Sequence, residues 1–162
     1  MIVMHAVQPA GTATRVVSDP VAVWAGMGRF FARRLAILPD VGIRRERLII
    51  DPGVGYFLGS TPGPSLKALA GIRELERTFR VPVLVSASRK SFLRMITGRT
   101  VMDVGPATLA AEIFAAWQGA DFIRTHAVPA TRDAFTVLAA KAREAAATVT
   151  ASIGGSAQER SW

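Results

Sequence analysis

Polar and charged side chains follow four short apolar segments of this 162-residue chain. The clearest case is VPVLVSASRKS, residues 81–91, in which two cations flanked by hydroxyls come directly after a buried strand. Basic side chains and hydroxyls at such a position can hold an anion or a polar ring. The other three segments end in the same manner, with MH (Met4, His5), DPGVGYF (Asp51–Phe57) and RTH (Arg124–His126).

The four apolar segments predict the strands of a parallel sheet. Each lacks the alternation of a strand with one wet face, which favours a sheet covered by helices. Segments with helical periodicity separate them, so a strand is followed by a helix four times, an α/β order that leaves a doubly wound sheet or a barrel of alternating units. The carboxyl ends of parallel strands share one edge, where active sites of such folds gather. The predicted strands are 1–5, 47–51, 81–87 and 121–126.

The helices are predicted from capping residues and apolar periodicity. The first is expected to begin at Pro20, with Ser18 or Asp19 as its N-cap. Trp24 and Trp117 have helical spacing with apolar residues, which predicts that both indole rings lie in the core. Three further helices are expected over 64–79, 105–119 and 129–146, the first as one continuous helix that buries Leu66, Leu69, Ile72, Leu75 and Phe79.

Composition limits the class of partner. The net charge of +8, from 20 basic and 12 acidic residues, allows an acidic partner. The basic residues are spread along the chain without an aromatic-rich motif, so no nucleic-acid partner is predicted. No apolar run approaches the roughly 20 residues that cross a membrane, and cysteine is absent. We therefore expect a cytoplasmic protein without a membrane partner or thiolate chemistry.

Asp51 is the first candidate for ligand binding. It follows three apolar residues, so its carboxylate is expected to be partly shielded from water. A carboxylate there can accept two hydrogen bonds from adjacent N–H donors of a ring. Alternatively, Asp51 caps its own Asp-Pro-Gly turn. The residues alone leave both roles open.

The second candidate group is the Ser-Arg-Lys-Ser run, which stands where the third strand passes into a short helix expected just after Ser88. Free N–H groups at a helix start favour an anion, which Lys90 and Ser91 would reinforce. Alternatively, Ser88 is an ordinary helix cap. A lysine is disfavoured at a helix start, so Lys90 is expected to have a compensating partner, either Asp51 or a bound ligand.

Arg124 and His126 flank Thr125, so both side chains are expected on one face of the last strand. The pair can hold a phosphate, with the arginine bidentate. Alternatively, Arg124 pairs with an internal carboxylate and His126 only caps the strand. His5 is predicted to be a structural histidine. The sequence shows no paired carboxylates, no Ser-His-Asp order and no metal-ligand spacing.

Taken in order, VMH, LIIDPGVGYF, PVLVSASRKSF and GADFIRTH resemble the second half of dihydropteroate synthase, a pterin-binding barrel of folate synthesis. The resemblance runs from about residue 1 to residue 141. DPGVGYFLGSTPGPSL, SRKSFLR and GPATLAAE are most similar to the mobile, sulfonamide-resistant synthases. The implied fold is a (β/α)8 barrel of TIM type, of which only the last four β-α units are present. Residues 1–148 are then expected to form half a barrel and residues 149–162 a flexible tail.

The resemblance implies a transferase that condenses 6-hydroxymethyl-7,8-dihydropterin diphosphate with p-aminobenzoate, releasing diphosphate and forming dihydropteroate. It implies Mg²⁺ as a cofactor, although the part of the family barrel that carries its usual ligand region is absent. Lys90, Arg124 and His126 would be catalytic. The implied substrate contacts are Asp51 and Lys90 on the pterin, Met4 in the pterin pocket, Arg124 and His126 on the diphosphate, Ser91 on the aminobenzoate carboxylate, Tyr56 beside the aminobenzoate, and Ser88.

The chain departs from the family pattern in three respects. Asp-Pro-Gly continues as YFLGS and not through Phe-Gly-Lys, Ser86 stands where many members have glycine, and the first four strands are missing. A truncated product or a partial sequence is therefore expected. Open sheet edges predict a homodimer or other self-association. Two alternatives stay open: an inactive pterin-binding or interaction module, and a barrel like that of pterin-dependent methyltransferases.

Overall fold

The computed structural model describes residues 1–8 and 12–155, with side chains described as far as residue 144. Each strand is followed by helical structure, as the sequence predicts. The strands are β1 (Ile2–Met4), β2 (Ile49–Asp51), β3 (Leu84–Val85) and β4 (Phe122–Ile123). The helices are α1 (Pro20–Ile37), α2 (Pro62–Ala70), α3 (Ile72–Phe79), α4 (Ser91–Thr97), α5 (Gly105–Trp117) and α6 (Val128–Gly155), with 3-10 turns at Pro39–Val41 and Arg45–Arg47.

The strands form two parallel pairs in chain order. β1 pairs with β2, and β3 pairs with β4. A single parallel bridge between Ile50 and Val83 connects the pairs, so all four strands point the same way. The predicted parallel α/β order is therefore confirmed. The described residues form no closed barrel, and the fold is an open α/β partial domain.

Helix α1 follows the predicted pattern closely. The Asp19 carboxylate accepts a hydrogen bond of 2.7 Å from the Ala22 N–H, and Pro20 is the first helical residue. This cap satisfies one of the N–H groups that a helix start leaves unpaired. One face of the helix packs into the core through Val23, Met27, Phe31 and Leu35.

The prediction of one helix over 64–79 is wrong, because the chain breaks at Gly71 between α2 and α3. The Trp24 ring covers Gly71 so closely that a Cβ there would lie 2.1 Å from the ring. The contact requires glycine at this position, glycine lowers helix stability, and the backbone of Gly71 leaves the helical region with φ −91° and ψ 4°. Leu66 is 47% exposed and not on the buried side as predicted. The other four predicted positions, Leu69, Ile72, Leu75 and Phe79, are buried.

The structure also corrects the prediction for one tryptophan. Trp24 packs against the core, but Trp117, the last residue of α5, is 73% exposed. Helical periodicity shows which residues share a face, but it does not show whether another element covers that face.

Helix α6 separates from residues 1–127 as a second compact unit. The helix runs to Gly155, past the point at which we predicted a tail. Residues 156–162 lie outside the described residues, so the flexible tail stays a prediction. No helix in the described part of the chain is both long enough and apolar enough to span a membrane.

The unpaired edges of the open sheet lead us to expect that copies of the chain associate. Within the described residues β1 and β4 each pair on one side only, and each exposes a large apolar side chain, Ile2 and Phe122. Unpaired strand edges with apolar side chains recruit further chains. We expect light scattering at micromolar concentration to report dimers or larger species, and Ile2→Lys with Phe122→Lys to shift them towards monomer. Met102→Lys, in an exposed turn, is the control that should change nothing. A compact monomer of the unmodified chain would contradict this expectation.

Candidate active site

The carboxyl ends of the four parallel strands bring the predicted residues to one rim. Asp51 is the last residue of β2 and lies opposite Met4, the last residue of β1. Arg124 follows β4 directly, and its N–H donates to the Val85 carbonyl at the end of β3 at 2.9 Å. The rim is therefore built by the strands themselves, as expected for the carboxyl edge of a parallel sheet.

Asp51 is buried, with 6% of its surface exposed. Its Oδ1 accepts a 2.7 Å hydrogen bond from the Gly53 N–H, so the residue does cap its own turn. Burial raises the pKa of Asp51, while the Gly53 hydrogen bond and the positive charges of Lys90 and Arg124 act in the opposite direction. Capping the turn and binding a ligand are therefore compatible roles for Asp51. One carboxyl oxygen accepts the hydrogen bond of the turn, and the carboxylate also lies within the electrostatic influence of Lys90 and Arg124.

Lys90 occupies the N-cap position of α4, which has no side-chain cap. Its Nζ lies 5.1 Å from the centre of the Phe57 ring, a cation–π distance. Burial lowers the pKa of Lys90, Asp51 raises it and Arg124 lowers it further. Among the charges that shift the pKa of Lys90, Asp51 is the one of opposite sign, which is the direction expected of a compensating partner. A Cβ at Gly55 would lie 3.1 Å from the Lys90 Cδ, so this glycine leaves room for the lysine stem.

Ser88 is buried and connects two strand ends. Its Oγ accepts a hydrogen bond of 3.2 Å from the His126 N–H and lies 3.0 Å from the His126 Nδ1. The short helix begins at Ser91, so Ser88 bonds to His126 and is not its N-cap. Arg124 and His126 are both exposed at the end of β4. The serine therefore holds a histidine whose ring can still meet a ligand.

The other predicted residues lie at or next to this rim. Ser91 is buried at the start of α4, and Met4 is half-buried. Tyr56 is half-buried, and its carbonyl accepts a 2.7 Å hydrogen bond from the Thr14 N–H. His5 is buried, with its ring centre 5.3 Å from that of Phe30, and burial lowers its pKa to about 4. This environment agrees with a structural histidine.

Three supporting residues were not found by sequence reasoning. Phe57 lies under the Lys90 ammonium. The Ser65 Oγ accepts a 2.8 Å hydrogen bond from the Gly55 N–H, and the Thr108 Oγ1 accepts one of 3.1 Å from the Arg89 N–H. The last two partners are distant in sequence, so no local pattern announces them. The available signal was that all three residues belong to stretches that carry the resemblance: Phe57 and Ser65 to DPGVGYFLGSTPGPSL, and Thr108 to GPATLAAE.

A comparison with protein-family models decides the family. Residues 1–126 match the model described as pterin binding enzyme. The chain belongs to this family. Among curated members, it is 51% identical over 140 residues to dihydropteroate synthase type-2 of Escherichia coli, covering 86% of this chain and 51% of the relative. The identity is 35% over 123 residues to dihydropteroate synthase of Escherichia coli strain K12, covering 73% of this chain and 41% of that relative.

Solved structures of pterin-binding enzymes agree with these matches. Dihydropteroate synthase from Stenotrophomonas maltophilia with active site-bound imidazole superposes with a TM-score of 0.76 and 30% identity over 86% of this chain and 51% of that one. The Xanthomonas albilineans enzyme in complex with 7,8-dihydropteroate gives a TM-score of 0.73 and 34% identity over 86% and 49%. The chain spans about half the length of the dihydropteroate synthases that it matches.

The residues present do not fit the Mg²⁺ that the resemblance to dihydropteroate synthase implies. Across the described residues, no three His, Cys, Asp or Glu side chains are grouped to hold a metal ion. The negative charge of the buried Asp51 carboxylate is already stabilised by Lys90, Arg124 and the Gly53 N–H.

Proposed function

We propose that the rim of Asp51, Lys90, Arg124 and His126 is the substrate site of a dihydropteroate synthase. The reaction joins the dihydropterin methylene of 6-hydroxymethyl-7,8-dihydropterin diphosphate to the nitrogen of p-aminobenzoate and releases diphosphate. The observation that supports this proposal is the cluster itself: the buried carboxylate of Asp51, with Lys90 and Arg124 near enough to lower its pKa, at the carboxyl rim of a pterin-binding enzyme.

The pterin ring requires a hydrogen-bond acceptor and a hydrogen-bond donor from the protein. The Asp51 oxygen not used by Gly53 is available for a ring N–H. Lys90, held over Phe57, donates to the pterin carbonyl and separates the two substrates. Met4, at the end of β1 opposite Asp51, supplies an apolar wall of the pocket.

The departing diphosphate requires positive charge where its own negative charge develops. Arg124 supplies a guanidinium that binds phosphate oxygens bidentately. Ser88 orients the His126 ring through its 3.0 Å contact with Nδ1, so Nε2 is left for the phosphate. Because cations fixed in place stabilise the leaving group without reorganising, they lower the barrier to C–O cleavage. On the other side, Ser91 receives the aminobenzoate carboxylate beside Tyr56.

A second candidate is a module that binds a pterin without turnover. The chain spans only about half the length of its synthase relatives, and the described residues form an open sheet. A chain that holds the pterin through Asp51 and Lys90 but does not close over both substrates would bind without turnover.

Calorimetry and a diphosphate-release assay on the full chain separate these functions. We titrate with 6-hydroxymethylpterin, and then supply the pterin diphosphate and p-aminobenzoate to a coupled assay. Binding with release supports the synthase, and binding without release supports the module. Absence of pterin binding by a folded chain would overturn both.

The lysine variant tests the central cation. We expect Lys90→Met to reduce diphosphate release roughly 100-fold, because a charge that stabilises the transition state is lost while the stem volume is kept. Lys67→Met, an exposed lysine on α2, is the matched control and should keep the unmodified rate. Equal loss in both variants would show a general effect of charge and contradict the assignment.

A further inference from the structure

The turn that carries Lys90 has an unusual backbone. The Lys90 N–H donates to the Ala87 carbonyl at 3.2 Å, closing a four-residue turn in which Arg89 is third. Arg89 has a φ of 58°, in the left-handed region. Turns with a left-handed third residue normally carry glycine or asparagine there, because a larger side chain strains the backbone. Something else must therefore hold Arg89 in this conformation.

Thr108 provides that contact. The Arg89 N–H donates to the Thr108 Oγ1 at 3.1 Å. Thr108 is only 3% exposed, and its own N–H donates to the Val104 carbonyl at 2.9 Å, which fixes it in α5. The acceptor is thus part of a rigid helix and not of the loop that it contacts.

The conformation of Arg89 determines how its two neighbours are presented. On one side Ser88 bonds to His126, and on the other Lys90 lies over Phe57. A rotation of φ at Arg89 turns the chain of Lys90 relative to that of Ser88. Both contacts therefore depend on the left-handed turn.

We propose that Thr108 is a positioning residue that holds Arg89 left-handed and thereby keeps Lys90 and Ser88 in place for the pterin diphosphate. This inference rests on the proposed function and adds to it a contact from α5. The role belongs to the hydroxyl oxygen as an acceptor for one backbone N–H, and the Arg89 side chain itself is exposed.

Paired variants of Thr108 test the acceptor. Thr108→Val keeps the shape and removes the oxygen, and we expect affinity for 6-hydroxymethylpterin to fall roughly tenfold. Thr108→Ser keeps the oxygen and should bind as the unmodified chain does. Equal affinity in Thr108→Val and the unmodified chain would overturn the proposal.

A second pair of variants, at Arg89, separates the effect of the backbone conformation from that of the side chain. In the Thr108→Val background, Arg89→Gly removes the penalty of positive φ and should restore pterin affinity. Arg89→Ala removes the same side chain, keeps the penalty and should not restore it. If both substitutions restored affinity equally, the side chain and not the turn would be responsible, and the proposal would be wrong.

A readout without ligand separates this proposal from the proposed function. The chain has three lysines, at 67, 90 and 141, so the ammonium group of Lys90 can be titrated by NMR and assigned with Lys90→Met. Burial lowers the pKa of Lys90, and Thr108→Val should return it towards the ordinary value while Thr108→Ser leaves it low. If the chain binds no pterin, the proposed function fails and this titration still decides the role of Thr108. If the pKa of Lys90 in Thr108→Val equals that in the unmodified chain, the proposed role of Thr108 is wrong.

Discussion

Replacing Gly53 with alanine is expected to destabilise the fold by about 3–5 kcal/mol, which combines the left-handed penalty with a forced backbone shift. Gly53 has a φ of 73°, and a Cβ there would lie 2.0 Å from the His5 carbonyl oxygen. That atom belongs to the backbone leaving β1, which is held by the 2.9 Å hydrogen bond from the His5 N–H to the Asp51 carbonyl. The clash cannot be relieved by moving a side chain. The free energy of unfolding, measured in urea, tests this expectation.

Gly98 offers a matched control for the same substitution. Its φ of 67° is close to that of Gly53, but a Cβ there meets nothing within 4 Å. Gly98→Ala should therefore cost only the left-handed penalty, about 1–2 kcal/mol. Equal losses in the two variants would show that the approach of Gly53 to the His5 carbonyl is not what requires glycine.

The parts of the fold that depend on local chemistry could be predicted from the sequence. Asp19 followed by Pro20 marks the start of α1, because a cap and a fixed φ act within one turn. The break at Gly71 was not predicted, since a single glycine inside a periodic segment is often tolerated in a helix, and the Trp24 ring that requires glycine there belongs to another helix. The exposure of Trp117 could not be predicted. Periodicity identifies the residues that share a helix face, but it does not show whether another element covers that face.

The candidate site, like the fold, has a part that the sequence predicts and a part that it does not. Parallel strands place their carboxyl ends together, so the cluster of Asp51, Lys90 and Arg124 follows from the order of elements. The contacts that orient these groups do not follow from it. From its own position in the sequence Ser88 could be assigned a capping role, and the resemblance added a substrate contact, but neither pointed to its observed partner, His126 at the end of another strand. Side-chain hydrogen bonds between distant segments are set by packing, which no local pattern contains.

The substitution Asp51→Asn is expected to have opposite effects on ligand binding and on stability. Asparagine keeps an oxygen for the Gly53 N–H but turns an N–H₂ towards a ring that also offers N–H donors. Because a charge-assisted hydrogen bond is replaced by a clash of donors, we expect affinity for 6-hydroxymethylpterin to fall roughly 100-fold. Calorimetry measures this loss, with Asp40→Asn, an exposed aspartate, as the control.

The stability of the same variant should rise at neutral pH. Burial raises the pKa of Asp51 above its ordinary value of 3.8, so its contribution to stability is present below that value and is lost as pH rises through the raised pKa. Asparagine has no charge to bury, so the advantage of Asp51→Asn should grow as pH rises through this window and vanish in acid. Urea unfolding at acid and neutral pH measures it. A carboxylate that only capped its turn would show neither the loss of binding nor this gain, and unchanged pterin affinity in Asp51→Asn would contradict the assigned role.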